Sequence, residues 1–422
     1  MFFRHAVFGL ASLSLLAAPM TPEARKLHLE SFEKVWSTVA TRHYDPKLGG
    51  LDWKGIHEEF KPKIEKAVSA EEVHDLLNAM LGRLGQSHLG VMPMEAYEED
   101  GGSENLASAV PGFDVRPVQG RVLVTSVEPD SPAAKAGVKP GWELLEVGDK
   151  PVKPVVERLS AHLKQSTQLE LMLTLRMHHL LRKGGDKPMS LRFGTGKGAV
   201  ALQVARMEPK GRVVRFSNLP PTSFWLERRT LPGSVAYLKF NIWLEPEAVV
   251  QGFQQAFDEA KPCKGFILDL RGNPGGMGFL ATGAAGWFVN AAHLKLGTMQ
   301  MRQGNLNFVI LPRANAFQGP LAILVDSCSA STSEIFAGGM QDLGRARIFG
   351  GRSAGAALPS IIERLPNGDG FQYIIANYLS EKGYALEGRG VKPDEEVPLS
   401  QAELLKGRDP ALEQALAWIA RQ

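Results

Sequence analysis

Apolar residues recur every three or four positions along the first part of this 422-residue chain. The pattern is clearest in HLESFEKVWSTVATRHY and AEEVHDLLNAMLGRL, and it predicts helices from residue 21 to about residue 90. The polar, glycine-containing stretch YEEDGGSEN then interrupts the pattern, as is typical of a linker. We therefore predict an N-terminal helical domain over residues 19–97.

From about residue 108 the hydrophobic period shortens towards two, which favours β-strands. RVLVTSVEP alternates as a strand does, and SPAAKAGV has the composition of a short helix closed by Gly137. A turn and a further strand follow, and then a long helical stretch over residues 156–183. These patterns predict a small β-rich domain over residues 107–205.

The remainder of the chain alternates between short β-rich runs and helical segments. SVAYLKFNIW, GFILDL, PLAILVD and ARIFG are the β-rich runs, and alternation of this kind predicts a sheet that is at least partly parallel. We expect an α/β core over residues 206–422. A chain of 422 residues is also too long for one compact core, so an α/β multi-domain protein is expected.

The N-terminus has the pattern of a secretory signal. Arg4 precedes 13 uncharged residues, 6–18, which end in small side chains and are too few to span a bilayer. We predict a signal peptide over residues 1–18 and a periplasmic or secreted protein, with a buried first helix as the alternative. No later stretch is long and apolar enough to predict a stable membrane span.

Charge and metal-ligand patterns narrow the possible partners. Lys and Arg (48) nearly balance Asp and Glu (45), which argues against nucleic acid as the main partner. Cys263 and Cys328 flank opposite ends of two predicted neighbouring strands, too far apart for a disulfide. No cysteine or histidine cluster has metal-ligand spacing, and the adjacent His178 and His179 point apart on a helix. We expect no metal or cofactor.

Two predicted strands lead into loops of small residues. GFILDL is followed by RGNPGG, which contains Gly275 and Gly276, and PLAILVD is followed by a loop containing Ser331. Because ligands bind beyond the carboxyl ends of parallel strands, both loops are expected at one edge of the sheet. Ser331 precedes the helix-capping residues 332–334, where free N–H groups favour developing negative charge. From the residues alone, a serine here is more often only a helix cap.

The sequence resembles the tail-specific, or C-terminal processing, proteases. LDLRGNPGG is followed some fifty residues later by SASTSEIFAGGMQDLGRARIFGGRSAG, and LEGRGVKPDEEV near the C-terminus extends the similarity over nearly the whole mature chain. The resemblance implies a serine endopeptidase that cleaves polypeptides through an acyl-enzyme, with Ser331 as nucleophile. It also implies oxyanion donors in the backbone N–H groups of Thr332 and of a glycine, Gly275 or Gly276.

The β-rich region resembles the PDZ domain found in bacterial proteases. The resemblance implies that VPGFDV, with Gly112, Phe113 and Val115, accepts a peptide carboxylate and extends the sheet by one strand. Extended or C-terminal peptide segments are then the expected partners. Any other small β-rich domain is the alternative.

One position departs from the commonest pattern of that family. Many members use a Ser–Lys dyad with the lysine 25 residues after the serine, and here that position is Ala356. Alanine cannot accept the proton of the serine. The nearest downstream lysine, Lys382, offers an alternative only if it is displaced towards the site.

The tricorn core protease branch of the family uses Ser, His and Glu instead. The matching motifs here are RLGQSHLGV, which contains His88, and YALEGRGVKPD, which contains Glu387. The resemblance implies that His88 accepts the proton of Ser331 and that Glu387 holds the imidazole in its tautomer.

Two further interpretations compete with this one. GRSAG places Ser353 in a G-x-S-x-G elbow, but the order Ser–acid–His is impossible because no histidine follows His293. A non-catalytic scaffold that binds hydrophobic ligands or peptides, as a retinoid-binding relative of the family does, is the other alternative.

Overall fold

A computed structural model describes residues 20–97, 109–163, 166–182 and 187–422. The predicted signal peptide and all but the first residue of the predicted linker YEEDGGSEN lie outside the described residues. Within the described ranges, no helix combines the length and the apolar character needed to cross a membrane.

The N-terminal region is helical, as predicted. Each of its three helices begins after a side chain that accepts a backbone N–H: Thr21, Asp52 and Ser69. Their apolar faces pack together into one buried cluster. The elements are α1 Pro22–Arg42, α2 Trp53–Lys66, α3 Ala70–Gly82 and β1 Gly90–Met92, with short 3₁₀ helices at Leu48–Gly50 and Met94–Ala96.

The middle region is an antiparallel sheet with strand order β2-β3-β4-β6-β7, and β5 pairs with β4. Strand β2 lies at the edge of this sheet and packs against α6. The helical stretch predicted over 156–183 is two helices, α5 and α6. The elements are β2 Phe113–Val118, β3 Arg121–Val127, α4 Pro132–Lys135, β4 Glu143–Val147, β5 Lys150–Pro151, α5 Lys153–His162, α6 Leu169–Arg182, β6 Met189–Gly194 and β7 Ala199–Val204.

The C-terminal region contains a six-stranded sheet with the order β10-β11-β12-β15-β16-β20. All neighbouring pairs are parallel except β10–β11, so the predicted partly parallel sheet is present. The elements up to the central strand are β8 Arg212–Val214, β9 Thr222–Phe224, β10 Leu226–Leu231, β11 Val235–Phe240, α7 Pro246–Glu259, β12 Gly265–Asp269, α8 Gly278–Ala285, β13 Lys295–Met301, β14 Gly304–Val309 and β15 Leu321–Val325. The later elements are α9 Thr332–Asp342, β16 Arg347–Gly350, β17 Ser360–Arg364, β18 Gly370–Ile374, β19 Ala376–Ser380, β20 Glu395–Glu396, α10 Gln401–Leu405 and α11 Pro410–Ile419.

Strands β12 and β15 form the centre of this sheet, and every residue in both is buried. Alternate side chains point to opposite faces. Phe266 and Leu268 therefore pack with α7, α8 and α9, whereas Ile267 packs with α11. Burial on both faces explains why these strands are continuous apolar runs in the sequence.

A three-stranded sheet joins the N-terminal helical region to the C-terminal region. Its order is β1-β18-β17, so a strand from the N-terminal region pairs with residues 370–372 of the C-terminal region. The helical region and the α/β core therefore share backbone hydrogen bonds.

A buried polar cluster fastens this joint. His74 Nε2 lies 2.7 Å from Asp369 Oδ2, and Asn367 Nδ2 donates to the same oxygen (2.6 Å) and to His28 Nδ1 (2.9 Å). Burial lowers the pKa of His74, but the hydrogen bond and charge of Asp369 outweigh it, so the pKa lies above its ordinary value. For Asp369, burial raises the pKa, but the contacts with His74 and Asn367 bring it below its ordinary value.

The substitution Asp369→Asn should lower the free energy of unfolding by about 2–4 kcal/mol, because it breaks a buried hydrogen-bonded pair. The raised pKa of His74 gives stability that is present below its unfolded value and is lost as pH rises through the folded value. The penalty should therefore be larger at pH 6 than at pH 8.5. Urea unfolding at both pH values tests this, with Asp149→Asn, at an exposed aspartate in a turn of the middle region, as control. Equal penalties at the two pH values contradict it.

Candidate active site

Ser331 lies between the central strand β15 and helix α9. Its φ of 53° and ψ of −118° fall in a region that residues with a Cβ rarely occupy, which costs about 1–3 kcal/mol. Its side chain is partly exposed, while the residues on either side, Ala330 and Thr332, are buried. Strain of this kind persists only where the surroundings impose it, and it concentrates at reactive sites.

The glycine loop after β12 lies directly against Ser331. A Cβ built on Gly275 would lie 2.6 Å from Ser331 Cβ and 2.9 Å from Thr332 N, so only glycine fits there. The carbonyl of Gly276 accepts a hydrogen bond from Thr332 Oγ1 (3.0 Å). The structure thus brings together all three residues predicted to supply oxyanion donors.

The backbone N–H groups of Gly275, Gly276 and Thr332 are not equally free to bind an oxyanion. The N–H of Gly275 donates to Asn273 Oδ1 at 3.0 Å. Thr332 opens α9, where the first N–H groups have no intrahelical acceptor. Gly276 is exposed, and among the described residues its N–H donates to no backbone acceptor. Gly276 and Thr332 are therefore better available than Gly275 for a bound oxyanion.

A buried carboxylate imposes the backbone geometry of Ser331. Glu334 Oε2 accepts from the N–H groups of Ser331 (3.1 Å) and Ala356 (2.9 Å). Its Oε1 accepts from the Gly355 N–H (2.7 Å) and from Ser353 Oγ (2.6 Å). Glu334 is completely buried, and burial raises its pKa to about 7 despite these four donors. The sequence indicated only a helix-capping role for this residue.

Ser353 contributes to the hydrogen bonds that hold Glu334, and it does not form an accessible G-x-S-x-G nucleophile elbow. Only 2% of it is exposed. Its Oγ donates to Glu334 and accepts from the Val391 N–H, both at 2.6 Å. A hydroxyl held on both sides in a buried position cannot approach a peptide bond.

His88 and Glu387 meet through a residue that the sequence did not single out. Ser87 Oγ donates to Glu387 Oε2 (2.8 Å) and lies 2.7 Å from His88 Nδ1. Because that hydroxyl gives its proton to the carboxylate, it accepts from Nδ1–H, and Nε2 is left as the acceptor. Burial lowers the pKa of His88 to about 4, so its imidazole is neutral at pH 7. The only signal in the sequence was the position of Ser87 directly before the histidine.

One short segment, residues 356–357, connects Glu387 to Ser331. The Ala356 carbonyl accepts from the Ser331 N–H (2.8 Å), and the N–H of the next residue, Ala357, donates to Glu387 Oε2 (3.0 Å). Gln168 Nε2 donates to the other oxygen of Glu387 (3.2 Å). Ser331 and Glu387 therefore both hydrogen-bond to the segment 356–357. Within the described residues, no hydrogen bond joins Ser331 Oγ to His88.

The alternative base, Lys382, lies elsewhere. Its backbone N–H donates to Asp342 Oδ2 (2.9 Å) at the far end of α9, about 16 Å from Ser331 at 1.5 Å per residue. Cys263 and Cys328 are both free thiols. Among the described residues, no group of three or more His, Cys, Asp or Glu side chains is arranged to hold a metal ion.

The residues predicted to bind a peptide lie at the start of β2. The side chains of Phe113 and Val115 are buried in the apolar cluster of the middle region, so only backbone groups at the edge of β2 remain for a ligand. Parts of that edge are occupied by nearby side chains. The Val115 N–H donates to Asp114 Oδ1 (2.9 Å), and its carbonyl accepts from Arg116 Nη1 (2.8 Å). Gly112, at φ +85°, packs against Ser131.

A cavity of about 660 Å³ separates β2 from the carboxyl ends of the parallel strands. Arg116 crosses towards the core and lies 3.4 Å from Asp326, whose carboxylate also accepts from the N–H groups of Gly272 and Cys328. Asp326 therefore joins the turn before Ser331 to β2 through Arg116 and to the glycine loop through Gly272. The charged side chains that line the cavity are Asp114, Arg116, Glu170, Lys239, Arg271, Asp326, Arg352, Arg408 and Asp409.

Comparison with known proteins identifies similar sequences and folds. The protein-family model described as peptidase family S41 matches residues 234–397. A second family model, described as tricorn protease C1 domain, matches residues 25–82. The carboxyl-terminal-processing peptidase 3, chloroplastic, of Arabidopsis thaliana is 24% identical over 86% of this chain and 67% of its own. The carboxy-terminal-processing protease of Bartonella bacilliformis is 25% identical over 97% of this chain and 85% of its own.

Among solved structures, the photosystem II D1 C-terminal processing protease has a similar fold, with a TM-score of 0.58 at 21% sequence identity. The similarity covers 91% of this chain and 98% of that one.

The substitution Glu334→Gln should lower kcat/KM at least about 100-fold and the free energy of unfolding by about 2–3 kcal/mol. Both oxygens of Glu334 accept from two donors each, so an amide NH₂ in either position would face N–H or O–H groups. Peptide hydrolysis and urea unfolding measure the two effects, with the exposed Glu58→Gln as control. Unchanged kinetics would show that Glu334 does not hold the geometry of Ser331.

Proposed function

We propose, from the premise that the chain is a serine peptidase of family S41, that it cleaves polypeptides with Ser331 as nucleophile. The observation that carries this assignment is the strained backbone of Ser331, held at the end of a central strand beside a glycine loop. A serine that served only as a helix cap would have no reason to hold this costly conformation. The buried Glu334 supplies the hydrogen bonds that maintain it.

The proton path runs from Ser331 to His88. As Ser331 Oγ forms its bond to the peptide carbonyl carbon, its proton passes to His88 Nε2, which returns it to the leaving amine. Water then hydrolyses the acyl-enzyme by the same path in reverse. Ser87 and Glu387 hold the ring with Nδ1 protonated and stabilise the imidazolium. The Ser331–His88 contact forms when substrate binds, since catalytic hydrogen bonds are often long in the free enzyme.

The oxyanion of the tetrahedral intermediate binds to backbone N–H groups. Gly276 and Thr332 are the favoured donors, because the N–H of Gly275 already donates to Asn273 Oδ1. Gly275 contributes through its missing side chain, which allows the loop to approach Ser331 within van der Waals contact. One such donor typically accounts for about 10²–10³ in rate.

Peptide recognition is proposed for the β2 edge and helix α6. β2 is an edge strand with a helix beside it, which is the arrangement that binds peptides by strand addition. Gly112, Phe113 and Val115 offer backbone groups there once the side chains of Asp114 and Arg116 move aside. The names of the relatives favour C-terminal segments of polypeptides as substrates.

Export is proposed on the basis of the N-terminal sequence alone. The charge at Arg4 and the apolar run 6–18 favour a signal peptide and a periplasmic or secreted enzyme.

Replacing Ser331 by alanine should lower kcat/KM for an internally quenched peptide by about five orders of magnitude or more, because the nucleophile is lost. Ser353→Ala removes a buried hydroxyl of similar size close by, and it should keep substantial activity when corrected for the folded fraction. Hydrolysis that survives in Ser331→Ala and disappears in Ser353→Ala would reverse the assignment. Absence of hydrolysis and of fluorophosphonate labelling in the folded wild type would favour the non-catalytic scaffold.

The proton path can be tested by three substitutions that differ in their distance from it. His88→Ala should reduce kcat by several orders of magnitude, and Ser87→Ala by about 10²–10³, with little change in KM. Lys382→Ala, at the far end of α9, should leave both constants unchanged. A mild effect of His88→Ala together with a large effect of Lys382→Ala would contradict the proposed base.

A further inference from the structure

An exposed apolar surface extends outwards from the glycine loop beside Ser331. Helix α8 begins at Gly278, immediately after that loop, and its second residue, Phe279, is 60% exposed. Met277 is partly buried beside it. Two large apolar side chains therefore lie within three residues of Gly276, one of the proposed oxyanion donors.

Strand β14 continues this surface. A Cβ on Gly278 would lie 3.1 Å from the ring of Phe308, so Phe308 packs against the start of α8. Leu306 is two residues earlier in the same strand, points to the same face, and is 52% exposed. We call Met277, Phe279, Leu306 and Phe308 the apolar strip.

The backbone next to the strip is available for pairing. β14 is the terminal strand of the sheet β14-β13-β19, and among the described residues no strand pairs with its outer edge. Natural edge strands are usually protected by charged residues or proline. The sequence of β14, GNLNFV, contains neither. An unprotected edge beside an apolar surface is suited to accept an extended peptide.

We infer that the apolar strip is a substrate subsite, and this inference rests on the proposed function. The polypeptide that flanks the scissile bond lies along the strip as an extended strand. It places apolar side chains from alternate positions, about 6.6 Å apart, against Phe279 and Leu306. Its backbone pairs with the outer edge of β14. The strip thereby selects substrates with apolar residues next to the bond that is cut.

Val309 provides a matched control. It lies in the same strand and is 46% exposed, but it is an odd number of residues from Leu306 and Phe308 and so points to the opposite face. A general effect of removing exposed apolar surface from β14 would appear in Val309→Ser as well as in Leu306→Ser.

The test uses an internally quenched peptide with apolar residues on both sides of the cleaved bond, and the same peptide with those residues replaced by serine. Leu306→Ser and Phe279→Ser should each raise KM for the apolar peptide about tenfold and leave kcat unchanged. The serine-substituted peptide should show a high KM with the wild type and no further loss in the variants. Val309→Ser should behave as the wild type.

An unchanged KM in both strip variants, or an equal change in Val309→Ser, would overturn the inference. The rate of labelling by a small fluorophosphonate, which does not reach the strip, should be the same in all four proteins. If the folded wild type takes no label, Ser331 is not the nucleophile, and this result says nothing against the strip as a peptide-binding surface. A strip variant with normal labelling and an unchanged KM would refute the strip alone.

Discussion

The site depends on one buried carboxylate. Glu334 lies without solvent contact in the first turn of α9, and it accepts four hydrogen bonds from the segments that begin at Ser331 and Ser353. A carboxylate without partners could not remain ionised at this position. The four donors lower the free-energy cost of burying the carboxylate. Through the same hydrogen bonds, the carboxylate fixes the segments at Ser331 and at 353–356, which have no regular secondary structure. The strained backbone of Ser331 is the direct consequence.

The sheet topology brings the glycine loop, Ser87, His88 and Glu387 near Ser331. The parallel strands β12 and β15 place the glycine loop and the turn that contains Ser331 at the same edge of the sheet. The strand pair β1–β18 brings the end of the helical region next to them. Ser87 and Glu387 are 300 residues apart in sequence and 2.8 Å apart in space. The polar cluster around Asp369 stabilises the same joint. The integrity of the site is therefore coupled to the docking of the N-terminal helices.

Much of this organisation was predictable from local sequence. Helical and strand periods predicted the helical N-terminal region and the partly parallel sheet. Small residues after two buried strands indicated where the candidate site lies. The pairing of β1 with β18 was not predictable, because hydrophobic period does not identify partners distant in the chain. The roles of Ser87 and Glu334 were missed for a related reason. A serine beside a histidine and a glutamate in the first helical turn are both common, and only burial distinguishes them from ordinary surface residues.

We propose that Ser331, and no other serine, is activated. The most direct measurement is to label the folded protein with a fluorophosphonate, digest it with trypsin and locate the adduct by mass spectrometry. The two candidate nucleophiles fall on different tryptic peptides, 314–345 and 353–364. The structure predicts one adduct, on Ser331 within 314–345. An adduct on Ser353, or a folded protein that takes no label, would contradict the assignment of Ser331 as the nucleophile.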